Sequence, residues 1–126
     1  MKYIIVTNNN LVYEKYNDKL RVEFKQQTYE QVLIRVRDLI HSGHKLLTHP
    51  LSGSVKPNET VFKTIIVSEQ QSTLDLDSLR IIEQSLETVK KFGINRHLLT
   101  ENILSDFRLV DLSLIESVII KLENSL

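Results

Sequence analysis

Residues 20–43 read LRVEFKQQTYEQVLIRVRDLIHSG, and a change of period inside this stretch decides the fold class. Leu20, Val22 and Phe24 alternate with Arg21 and Glu23, the two-residue period of a strand. From Thr28 the period lengthens. Tyr29, Val32, Leu33, Val36, Leu39 and Ile40 share one helical face, opposite Glu30, Arg35, Arg37 and Asp38. Thr28 and Gln31 have the spacing of a capping box, and Gly43 supplies a left-handed stop. A strand feeding a capped amphipathic helix is the first half of a βα unit.

The flanking sequence continues the alternation. Residues 2–6 form a β-branched run ending in three asparagines, which reads as a buried strand and a turn. Asn8 or Asn9 caps a short helix through Tyr16. Beyond Gly43, residues 45–48 are expected as a third strand, residues 49–60 as a loop and residues 61–67 as a fourth strand. Asp75 or Asp77 caps a long helix that Gly93 ends. Residues 100–106 read as a short helix and residues 107–110 as a fifth strand. Ser113 and Glu116 then have capping-box spacing for a final helix. The pattern predicts one α/β domain over residues 1–126, a three-layer α/β/α arrangement with a mostly parallel sheet of about four to five strands.

Bulk properties exclude several classes. Sixteen basic and sixteen acidic residues cancel, so there is no electrostatic footprint of a nucleic-acid binder. There is no cysteine, which removes disulfides, thiolate metal sites and thiol catalysis. No apolar run approaches the roughly 20 residues of a membrane span, and the N-terminus lacks a signal-peptide pattern. The expected compartment is the cytoplasm.

Chemistry-bearing residues concentrate in one connection. In open α/β sheets ligands bind at the carboxyl ends of strands, and that edge is expected to hold Asn8 and Asn9 with residues 49–60. Ser52, Gly53, Ser54, Lys56 and Asn58 have the composition of an anion cradle. A glycine lets backbone amides approach a ligand, hydroxyls and an amide donate, and a lysine supplies charge. Glu59 and Thr60 complete the segment. Neither a Walker loop nor GxGxxG is present. The plain alternative is a shaped surface loop, with the asparagines acting only as caps.

The histidines admit several readings. His41, His44 and His49 with Glu59 could ligate zinc, but HExxH is absent, and a helix-end position explains His41. No metal and no cofactor are expected. His44 could cap the last carbonyls of the preceding helix. His49, beside Ser52, is the candidate general base. GxSxG is missing, so a serine triad has little support. The final helix is more apolar than one buried face requires, which fits packing on two sides or a homodimer contact.

RDLIHSGHKLLTHPLSGSVKPNET, residues 37–60, resembles the signature stretch of the GrdX family. TNNNLV, VFKTIIVSE and LVDLSLIE agree along the rest of the chain; Val61 stands where the family carries proline. The resemblance implies a small cytoplasmic protein encoded with the glycine, sarcosine and betaine reductase systems of amino-acid-fermenting anaerobes. It transfers no catalytic residues. It favours an accessory or regulatory protein over an enzyme, one that binds a small anionic metabolite at residues 49–60 and a reductase component. The alternatives are a cofactor-independent enzyme acting on a small acyl or phosphoryl compound, and a ligand-free interaction module.

Overall fold

A computed structural model describes residues 2–51, 60–92 and 99–124. Its elements are β1 (Tyr3–Thr7), α1 (Asn10–Tyr16), β2 (Arg21–Phe24), α2 (Tyr29–His41), β3 (Thr64–Ser68), α3 (Leu76–Phe92) and α4 (Glu101–Glu123). β1 is the central strand, with order β2-β1-β3. It pairs parallel to β2, Ile4 opposite Arg21 through Thr7 opposite Phe24. It pairs antiparallel to β3, Tyr3 opposite Ser68 through Thr7 opposite Thr64.

The molecule is therefore mixed α/β, as its alternation predicts, but the described sheet has three strands rather than four to five. One of its two pairings is antiparallel. Residues 45–48 explain both differences. They run beside β3 with a single antiparallel bridge, Leu46 opposite Val67. Two backbone bonds, Leu47 N to Ile66 O (2.9 Å) and Ser68 N to Lys45 O (2.8 Å), join the two segments, and side-chain oxygens accept the amides beside them. Lys45 N donates to Ser68 Oγ (2.7 Å), Leu46 N to Ser78 Oγ (3.0 Å) and Ile66 N to Thr48 Oγ1 (3.0 Å). This extra pass after α2 returns the chain to the far edge, so β3 enters the sheet reversed.

The expected fifth strand is also corrected. Residues 107–110 belong to one helix, α4, which also absorbs the separate short helix and the second capping box. Thr100 caps it by accepting from Ile103 N (3.3 Å). The helical period Asp111, Ile115, Ile119 carries its buried face straight through.

Each side of the sheet has its own apolar cluster. Ile4, Val6, Ile65 and Val67 pack with residues of α2 and α3, including Leu33, Val36, Ile82 and Leu86. Tyr3, Ile5 and Ile66 pack with Val12 of α1 and Ile115 and Ile119 of α4. Burial on both faces is why β1 is a continuous apolar run rather than an alternating one. α2 begins at the expected capping box: Gln31 N donates to Thr28 Oγ1 (3.1 Å) and Thr28 N to Gln31 Oε1 (2.9 Å). It ends at Gly43, whose φ of 104° suits glycine; a Cβ there would lie 2.3 Å from Ser72 O. Asp75, not Asp77, caps α3, accepting from Ser78 N and Oγ (3.0 and 2.5 Å). No described helix is long and apolar enough to cross a membrane.

Candidate functional site

The carboxyl edge of β1 holds a buried polar cluster drawn from four parts of the chain. Thr7 ends β1, and its Oγ1 lies 2.7 Å from Thr64 Oγ1 at the start of β3. Thr64 Oγ1 donates to Asp111 Oδ2 of α4 (2.7 Å). Asn9 Nδ2 donates to the same oxygen (3.0 Å) and to Arg108 O (2.9 Å). Asn9 N donates to Thr7 Oγ1 (3.0 Å) and Asn9 Oδ1 accepts from Leu11 N (3.1 Å), so this residue caps α1 while tying it to α4.

Asn8 closes the other side. Its Nδ2 donates to Gln27 O (2.9 Å) and Val61 O (2.7 Å), and its Oδ1 accepts from Lys63 N (2.9 Å). The turn after β1 is thereby held against residues 61–63, which lead into β3. Every side-chain amide hydrogen of Asn8 and Asn9 is engaged inside the chain.

Two titratable groups face each other in this cluster. Asp111 is 7% exposed, and desolvation raises its carboxyl above the ordinary 3.8, while Asn9, Thr64 and Lys63 oppose the rise. Lys63 is also 7% exposed, and desolvation lowers its ammonium, with Asp111 opposing. Burial thus drives both groups toward their neutral forms, the environment in which acid–base groups are found in functional sites. Burial likewise pushes the Tyr29 phenol up; its hydroxyl donates to Pro50 O (2.9 Å).

Arg108 adds a second cation. Its guanidinium carbon lies 4.8 Å from the centre of the Phe62 ring, and Nη1 lies 3.6 Å from Glu101 Oε1. Its Nε is buried and has no acceptor, alone in this among the described side-chain N and O atoms. An orphaned buried donor costs about 1–3 kcal/mol. Beside it, Phe62, Lys63, Thr60, Phe107 and Asp111 line a recess of about 20 Å³, room for roughly one water molecule.

Thr60, at the rim, accepts from Phe62 N (3.1 Å). His49 is exposed, and its Nδ1 accepts from Leu51 N (3.1 Å). That bond places the neutral ring's hydrogen on Nε2. His44 is not brought to this cluster. It is buried at the opposite edge, its Nδ1 2.7 Å from Ser68 O at the far end of β3. Ser52, Gly53, Ser54, Lys56, Asn58 and Glu59 lie outside the described residues. Among the described residues, no group of three or more His, Asp or Glu side chains is placed to hold a metal ion. A larger hollow of about 560 Å³ lies at His44's edge, but the lysines lining it, Lys2 and Lys45, are exposed.

Sequence reading missed Asp111, Lys63, Thr64 and Arg108. A signal for Asp111 was present, because it shares a helical face with Ile115 and Ile119. Lys63, inside VFKTIIV, interrupts an apolar run in the same way. Arg108 had no such mark.

No curated protein and no solved structure gave a significant match. A protein-family comparison matched residues 4–120 to the family described as GrdX-like protein. With nearly the whole domain inside that match, the chain belongs to the GrdX-like protein family.

Proposed function

We propose that this protein is a cytoplasmic accessory protein of glycine- and betaine-reductase metabolism that binds a small phosphate- or carboxylate-bearing metabolite at the carboxyl edge of β1. The metabolic setting, and a reductase component as partner, rest on the family. The ligand class rests on Arg108 Nε, a buried donor that lacks an acceptor beside a buried lysine. Arg108 lies over the Phe62 ring, and Phe62 lines the recess together with Lys63, Thr60 and Asp111. An anionic oxygen between the two cations would satisfy the orphaned donor through a charge-assisted bond. Ser52, Gly53, Ser54, Lys56 and Asn58 would supply the remaining donors.

A thermal-shift series against acetyl phosphate, inorganic phosphate, glycine, sarcosine and betaine tests the reading. A ligand at about 100 times its dissociation constant adds roughly 2.7 kcal/mol of apparent stability. Stabilisation by one of these compounds, lost in both Arg108→Gln and Lys56→Ala, is the expected result. No response to any of them, or a response that survives both substitutions, would sink it.

The opposed shifts of Lys63 and Asp111 favour a second reading, a cofactor-independent acyl- or phosphoryl-transfer enzyme. In that case Lys63→Met would abolish turnover of the stabilising compound. His49→Gln would slow that turnover if His49 serves as the base, and a variant as active as the parent would remove the assignment.

A further inference from the structure

The outward face of α4 is the most apolar exposed surface of the described residues. Leu109, Val110, Leu114 and Ile120 are 57, 37, 40 and 60% exposed. They recur at helical spacing, with Ser113 and Ser117 between them. Ser117 Oγ donates to Ser113 O (3.3 Å), so that hydroxyl is turned into its own helix. A 23-residue helix on a monomer's surface ordinarily carries charges there. This face has none between Asp106 at one end and Lys121 at the other. Neither residue joins any ion pair of the described residues; α4's pairs run instead through Glu101–Arg108 and Lys15–Glu116.

The charges make the face complementary to itself in one orientation. We propose that a second copy of this chain docks on it, the two α4 helices antiparallel about a two-fold axis between Ser113 and Leu114. At 1.5 Å per residue, Asp106 and Lys121 lie about 11 Å on either side of that axis. The two-fold therefore sets Asp106 of each copy beside Lys121 of the other, closing two ion pairs around the leucines, valine and isoleucine. It also places each helix's positive end beside the other's negative end. The serines near the axis allow close approach. Val110 and Leu114 also line the recess with Lys63 and Asp111, so the second copy forms the outer wall of the polar cluster. The inference stands independently of the ligand reading.

Sedimentation equilibrium of the full chain tests it. The wild type is expected to be a dimer. Leu109→Asp and Ile120→Asp are expected to be monomers that remain folded, because both side chains are more than half exposed, and to lose the concentration-dependent part of the wild type's melting temperature. Asp106→Lys and Lys121→Asp each turn two attractions into repulsions and should weaken association by roughly tenfold. Mixed in equal amounts, those two variants re-form both pairs and recover the wild-type affinity. A wild type that is monomeric at every accessible concentration overturns the proposal, as does a dimer indifferent to Leu109→Asp and Ile120→Asp. A mixture no tighter than its components overturns the antiparallel register.

Discussion

Asp111 occupies a position that its neighbours on α4 fill with isoleucine, and the cost appears in its protonation. Its raised carboxyl means that the folded chain holds this proton to a higher pH than the unfolded chain does. The folded state thus binds more protons, and this group's contribution to stability falls as pH rises from the ordinary 3.8. Glu23 has the opposite sign. Arg35 donates to it twice, at 2.7 and 2.9 Å, and holds it below the ordinary 4.5, so its contribution is lost as pH falls. Asp111→Asn keeps an oxygen for Asn9 and Thr64 and removes the titration. Denaturation midpoints measured from acid to neutral pH should lose the falling component while the Glu23 component remains. An unchanged profile would show that the carboxyl does not titrate as its burial implies. Asp111→Ala instead strands two donors and should cost about 1–3 kcal/mol for each.

At the scale of elements, legibility followed the locality of the signal. The capping box of α2 lies within four consecutive residues, and its bonds formed where the spacing placed them. Thr28→Ala should lower stability by about 1 kcal/mol, read from urea unfolding, and the double variant with Gln31→Ala should lose less than the sum of the two single variants. A loss near zero would mean that α2 is held by packing alone. α4 went the other way. FRLVDLSLIE, residues 107–116, holds a four-residue stretch read as a strand and a second capping-box spacing, both local and both overridden. Ile115 and Ile119 reach the sheet only if the helix continues through them. Residues 45–48 have strand composition and do pair with β3 through a single bridge, but Ser68, Ser78 and Thr48 side chains accept the neighbouring amides, so the pairing stays short. Nothing near those residues in the sequence announces them.

Across the whole molecule, the buried apolar residues fall into two clusters, to which alternate residues of β1 and β3 contribute. Ile82 belongs to one and Ile115 to the other. Ile82→Val and Ile115→Val should each cost about 0.5–1.5 kcal/mol, and the double variant should equal their sum within about 0.5 kcal/mol. A larger coupling would show that the two clusters respond as one packing unit. Sequence alone determined the α/β class, the register and cap of α2, the buried character of β1 and the presence of β3. Each follows from periodicity or from the spacing of a cap. Only the tertiary structure decided the direction of β3, the continuity of α4 and the pairing of Lys63 with Asp111. Strand direction depends on an extra pass of chain, and desolvation depends on residues such as Asn9, 102 positions away from Asp111. Periodicity in one segment carries no information about either.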